Sequence, residues 1–134
     1  MREIAVSTER RTQLVNITRQ VEEALGDTVR ADAAAALVYV PHTTAGVTIN
    51  EHIDPELLTD LEDALERIAD DEWTWRHDDK DGPNGPSHAR STLVGSQVLI
   101  PLRDGELALG TYQGIFFCEF DGPRERSVHV SVLA

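Results

Sequence analysis

The chain holds one cysteine, Cys118, among 134 residues, and one lysine, Lys80, among its 12 basic residues. A single thiol closes no intrachain disulfide, which excludes a stapled fold and fits a reducing compartment. Aromatic residues make up only 5% of the chain, so the core has to be built from Val, Leu, Ile and Ala. Long hydrophobic runs are missing too. The longest, Ala33–Val40, falls far short of the roughly 20 residues that span a bilayer. Residues 1–8 carry no apolar stretch of the kind that begins a secretory leader. Positive charge is scarce: 24 acidic residues face 12 basic ones, for a net charge of −12. That field repels phosphate backbones and anionic lipid surfaces, so neither nucleic acid nor a membrane is expected as a partner. The expectation is a cytoplasmic protein.

What is present suits one domain over residues 1–134. A chain of this length buries roughly two-thirds of its unfolded surface, and 40% hydrophobic content supplies a core. Glu3–Thr8 and Thr12–Ile17 alternate apolar and polar residues, as half-buried strands do. Thr18 is placed to cap a short helix that ends at Gly26. Ala33–Val40 reads as a strand covered on both faces, and Ala45–Asn50 as another strand. The clearest helix is Pro55–Ile68, with Asp54 as N-cap, Pro55 at the first position and a stripe of Leu57, Leu58, Leu61, Leu65 and Ile68. Asp60, Glu62, Asp63 and Glu66 take its remaining faces. A long polar connection from Asp70 to Pro86 follows, in which Trp73 and Trp75 argue for order. Ser87 caps a further helical segment that stops at Gly95. Strands are expected at Gln97–Leu102, Glu106–Tyr112, Gly114–Phe120 and Ser127–Val132, which makes the class α+β.

Four stretches carry candidate chemistry. His42 directly follows an apolar strand, and Thr43, Thr44 and the Gly46 backbone are suited to hold an anion; the plain alternative is a hydrogen-bonded turn histidine. Glu51 is a candidate ligand or base, or else an exposed carboxylate, and His52 reads as solvent-exposed. His77 and His88 flank Asp78, Asp79, Asp81 and Asn84, the imidazole and carboxylate donors that divalent metals take. Their spacing matches no metal fingerprint, and a solvated acidic loop is the alternative. His88 lies in the first turn of its helix, where the amides around Ser87 favour phosphate. Gln113 is suited to orient a ligand. Arg124 and Arg126 either grip phosphate or pair with carboxylates. His129 and Cys118 read as structural.

The ordered set His42-Thr43-Thr44-Ala45-Gly46, Thr48-Ile49-Asn50-Glu51, Asp54-Pro55, Asp60-Leu61-Glu62, His77-Asp78, Ser87-His88, Leu93-Val94-Gly95, Gly110-Thr111-Tyr112-Gln113-Gly114-Ile115, Glu119 and Arg124-Glu125-Arg126 resembles the YjbQ-like family, described as secondary thiamine-phosphate synthases. The likeness spans residues 3–133; Tyr112 stands where the family pattern usually has Trp. It implies two packed, mainly antiparallel sheets with helices on one side, assembled as a homotrimer. It further implies a divalent metal ion, zinc or magnesium, on His42, His77 and His88, with Glu51 or Asp60 as further ligand or base. Arg126 and the amides near Ser87 would then hold the phosphate of a small phosphorylated substrate. The implied activity is a transferase that joins a pyrimidine methyl pyrophosphate to a thiazole phosphate. A non-catalytic metal- or small-ligand-binding trimeric module is the alternative, and a trimer with purely structural histidines is a third.

Overall fold

The computed structural model describes residues 1–77 and 82–134. Alternation at the start of the chain produces β1 (Arg2–Ser7), which buries Ile4 and Val6 and leaves Glu3, Ala5 and Ser7 on the other face. β1 pairs antiparallel with β8 (Glu125–Leu133), Ile4 opposite Val128, so the two ends of the chain lie side by side. β3 (Ala35–Tyr39) pairs with the far side of β8, and β5 (Gln97–Arg103) and β6 (Glu106–Leu107) complete a five-stranded sheet in the order β1-β8-β3-β5-β6. Asp104 and Gly105, with φ of 54° and 81°, turn the chain between β5 and β6. A two-residue type I′ turn requires positive φ at both positions.

The second sheet holds β2 (Gln13–Asn16), β7 (Gln113–Glu119) and β4 (Ala45–Glu51) in the order β2-β7-β4, all antiparallel. Its inner face meets the larger sheet, and Ala36, Val38, Val40, Val47, Ile100, Ile115, Phe117, Val128 and Val130 pack between them. Helix α1 (Thr18–Leu25) adds Val21 and Leu25 to that layer. Helices α2 (Pro55–Arg67) and α3 (Gly85–Val94) belong to a second cluster: Leu58, Leu61, Leu65 and Val94 pack on Leu14, Phe116, Cys118 and Phe120 of the smaller sheet. The result is an α+β domain of two antiparallel sheets and three helices among the described residues.

Several boundaries differ from expectation for physical reasons. β6 stops at Leu107 instead of Tyr112 because residues 110–113 fold back on themselves. Gln113 N–H donates to the Gly110 carbonyl at 3.0 Å, and Gly110 N–H donates to Gln113 Oε1 at 2.8 Å. Helix α3 begins at Gly85, ahead of Ser87, with Asn84 as its N-cap. Thr18 does not cap α1; its hydroxyl donates to Asn16 Oδ1 at 2.7 Å and accepts from Ile115 N–H at 2.8 Å. Glu62 leaves the polar face of α2 for the interior, where it accepts from Leu14 N–H at 2.7 Å and from Arg10 at 3.0 and 3.1 Å. β3, expected to be covered on both faces, is covered on one by the described residues. The outer face of its sheet leaves Tyr39 40%, Leu99 60% and Leu133 40% exposed. An apolar run does not reveal how many layers cover it.

Candidate functional site

The polar residues singled out in the sequence fall into three places. The first is buried. Glu119, at the end of β7, has no exposed surface, yet its carboxylate takes five hydrogen bonds. Oε1 accepts from Thr8 Oγ1 at 2.8 Å and Arg126 Nε at 2.9 Å, and Oε2 accepts from the amides of Phe120 and Asp121 at 3.1 and 3.0 Å and from Arg126 Nη2. Arg126 Nη2 also donates to Thr44 Oγ1 at 2.9 Å. Burial by itself pushes the Glu119 carboxyl up; the Arg126 and Thr8 hydrogen bonds, the Asp121 amide and the Arg126 charge outweigh it and hold the group below its ordinary value. Arg126 and Thr44, expected at a phosphate, are 8% and 6% exposed and committed to this network. The inward face of β8 carries Arg126 into the core, where an unpaired carboxylate would be costly. Ser87 is spent likewise. Its hydroxyl donates to the Phe120 carbonyl at 2.5 Å, and the amides of Ser87 and His88 donate to the Asn84 carbonyl at 3.1 and 3.3 Å, so they do not face a ligand.

His42 borders this core. Extending the β3–β8 register two residues past Tyr39↔His129 sets Pro41 opposite Ser127. Proline has no N–H and ends the ladder there. The imidazole takes over: Ser127 N–H donates to His42 Nε2 at 3.0 Å, with the Ser127 carbonyl 3.1 Å from the same nitrogen. An accepting Nε2 puts the ring proton on Nδ1. Burial, and then the charge of Arg126, hold His42 below its ordinary pKa.

The second place is an open face over the first turns of α3. His77 and His88 stand edge to face with ring centroids 4.9 Å apart. A depression of about 360 Å³ is lined by Trp75, His77, Gly85, His88, Ala89 and Thr92. An adjoining one of about 390 Å³ shares His88 and Thr92 and adds the exposed Thr43. Asp78, Asp79, Lys80 and Asp81, the rest of the acidic stretch beside His77, lie outside the described residues.

The third place is the far end of the smaller sheet. Glu51 pairs with Gln113 in the β4–β7 register, six residues beyond Ala45. At about 3.3 Å per residue the two ends of β4 are roughly 20 Å apart. Ser91 Oγ of α3 donates to the Ala45 carbonyl at 2.6 Å, so α3 and the histidine pair belong to the opposite end from Glu51. Gln113 and His52 instead line a cleft of about 930 Å³ beside α1. Asp60 is exposed on α2.

The donor set fits a divalent ion in part. Two imidazoles on one tetrahedral zinc, with Zn–N of about 2.0–2.1 Å, have ring centroids roughly 5 Å apart, the separation found for His77 and His88. His42 is occupied by Ser127, and among the described residues no three His, Cys, Asp or Glu side chains converge. The three-histidine set therefore does not assemble in one chain, whereas the pair does. Sequence reasoning flagged both members of that pair but missed Trp75 as its neighbour. The signal was there, in the only two tryptophans of the chain sitting just ahead of His77.

Fold and site together define a two-sheet α+β domain with a histidine-lined depression beside its third helix. The chain belongs to the UPF0047 protein YjbQ-like family, whose model matches residues 2–134. It is 40% identical to the UPF0047 protein YugU of Bacillus subtilis, with 99% of this chain and 98% of that protein covered. It is 41% identical to a UPF0047 protein of Methanocaldococcus jannaschii, at 96% and 90% coverage. Among solved structures, it is similar to a YjbQ/UPF0047-family protein of Clostridium acetobutylicum, with TM-score 0.90, 37% identity and coverage of 99% and 100%. A hypothetical protein of Aeropyrum pernix K1 gives TM-score 0.90 and 39% identity over 98% of this chain and 96% of that one.

Proposed function

We propose that the protein is a cytoplasmic, homotrimeric transferase of the thiamine-phosphate-synthase type, acting on a phosphorylated small molecule at a divalent-metal site held by His77 and His88. The observation that carries this reading is the separation of the two imidazoles, which suits one shared ion. Bound there, the ion would neutralise a pyrophosphate leaving group. Thr43, exposed on the same face, is placed to donate to phosphate oxygens. In the reaction a C–N bond forms between the pyrimidine methylene carbon and the thiazole nitrogen as the C–O bond to pyrophosphate breaks.

Elemental analysis of untagged protein beside the His77→Ala/His88→Ala variant tests the site. Near-stoichiometric zinc, manganese or magnesium in the first and its loss from the folded variant are expected, together with pyrophosphate release from the substrate pair. No metal after all three ions are added back would remove the reading. A non-catalytic metal- or ligand-binding module is the second reading. It is favoured by the roughly 20 Å that β4 puts between Glu51 and the histidine end of the sheet. Turnover separates the two: pyrophosphate release that the His77→Ala/His88→Ala variant loses supports the enzyme, and metal or ligand binding with no release supports the module.

A further inference from the structure

We propose that the protein holds a second small-molecule site, on the face of α3 turned away from His88, and that its ligand is a zwitterion of the α-amino-acid type. The site is a depression of about 440 Å³ between the start of β2, the last turns of α2 and α3. Arg90 and Thr12, 2% and 3% exposed, give it a buried lining. Asp63, Glu66, Arg67 and the Arg11–Asp71 pair form its exposed rim. Arg90 follows His88 by two residues, which at 3.6 residues per turn is about 200° around the helix. The depression shares no residue with the one beside His77 and His88.

The two buried donors are incompletely matched within the chain. Arg90 Nε donates to the Ile68 carbonyl at 3.0 Å, and Nη2 donates to the Glu66 and Ala69 carbonyls at 2.8 and 3.0 Å. These oxygens end α2, where the helix dipole offers roughly half an elementary charge, so the cation is compensated only in part. No carboxylate among the described residues comes within ion-pair distance of it. Burial, partly offset by Asp71 and Glu66, holds its pKa below the ordinary value. An ion placed this deeply is costly without a partner of opposite sign. Its Nη1 has no acceptor among the described residues and is not fully closed off. Thr12 Oγ1 is buried with no hydrogen-bond partner, although buried hydroxyls rarely go unmatched. One carboxylate, with two oxygens, accepts from both.

The rim decides the other end of the ligand. Arg11 and Asp71 neutralise each other through hydrogen bonds of 2.9 and 3.2 Å. Asp63 and Glu66 have no ion-pair partner among the described residues, although Arg67 stands one helical turn beyond Asp63 on α2. These carboxylates repel a phosphate dianion, and the guanidinium groups repel a simple amine. A molecule that carries a carboxylate and an ammonium on one carbon meets both sets of charges.

Calorimetry with L-alanine tests the site, beside acetate, ethylamine and inorganic phosphate. L-Alanine is expected to bind about ten-fold tighter than each of the other three, the worth of one charge-assisted hydrogen bond. Thr12→Val keeps the shape of the side chain and removes only the unmatched hydroxyl. It should weaken L-alanine about ten-fold without lowering the unfolding temperature, since no hydrogen bond inside the chain is lost. Asp63→Asn combined with Glu66→Gln should weaken L-alanine and strengthen acetate. The His77→Ala/His88→Ala variant should bind L-alanine as the wild type does, so this site stands or falls apart from the metal reading. Acetate, ethylamine or phosphate bound as tightly as L-alanine would overturn the zwitterion. L-Alanine affinity unchanged in Thr12→Val, lost with the two histidines, or not saturable below about 10 mM would overturn the site itself.

Discussion

Glu119 is the residue on which the interior turns. Its carboxylate follows the apolar run Ile115–Cys118, and the ladder of β7 delivers it next to Arg126 of β8 and Thr8 beyond β1. Glu119→Gln would place a donor against the Phe120 and Asp121 amides and leave the guanidinium uncompensated. Breaking a buried pair in this way costs about 3–5 kcal/mol, to be read by urea denaturation. The sign of its pH dependence follows from the depressed carboxyl. Its stabilisation is fully present above the unfolded value of about 4.3 and is lost as pH falls through the folded one. His42, also depressed, behaves in parallel at a higher pH. The unfolded chain takes up its proton near pH 6.5, whereas the native imidazole resists, since burial and then the charge of Arg126 disfavour its charged form. The contribution of His42 is therefore present above about pH 6.5 and declines as pH falls through the depressed native value. A His42→Gln variant should lose less stability than the wild type on going from neutral pH to about pH 5. Ala69 stands at φ 67°, a left-handed position that disfavours side chains, so Ala69→Gly is expected to stabilise by about 0.5–1 kcal/mol.

At the scale of elements, α2 was the most legible part of the chain. Asp54, Pro55 and the leucine stripe each point the same way, and Asp54 Oδ1 accepts from Glu56 N–H at 2.9 Å as a cap should. Asp54→Ala should cost about 1 kcal/mol, measured by thermal unfolding. Helix α3 was legible as a helix but not in its start. The close approach of Trp75 to Gly85 and of Gly46 to the Gly95 carbonyl, 2.5 Å from where a Cβ would sit, are contacts between distant stretches that no local pattern encodes. Gly85→Ala is expected to dislodge Trp75, visible as a shift of the tryptophan emission toward that of exposed indole. The same limit applies to Glu62, which helical spacing assigns to a polar face. Only the arrival of β2 beside α2 brings the Leu14 amide that draws it inward.

For the whole molecule, the bare outer face of the five-stranded sheet is the feature with the widest consequence. Tyr39, Leu99 and Leu133 share it, with no helix among the described residues above them. An apolar patch of this kind on an acidic protein is a contact surface in waiting. The homotrimer proposed above predicts sedimentation at three times the 14.8 kDa chain mass. Leu99→Glu, adding a charge to that face, should shift the population toward monomer if the trimer uses it; an unchanged sedimentation profile would place the subunit contact elsewhere.

The amino-acid sequence by itself determined the α+β class, the alternating strands, the capped second helix and the buried Cys118. These rest on periodicity, caps and residue chemistry, which are local. Only the tertiary structure decided which candidates share a place. It sent Arg126 and Thr44 inward to Glu119, gave His42 to the ladder end that Pro41 left open, and set Glu51 and Gln113 at the far end of β4. Strand register and sheet order, which join residues as far apart as Arg2 and Val130, control those outcomes, and neither is written in any short stretch of the chain.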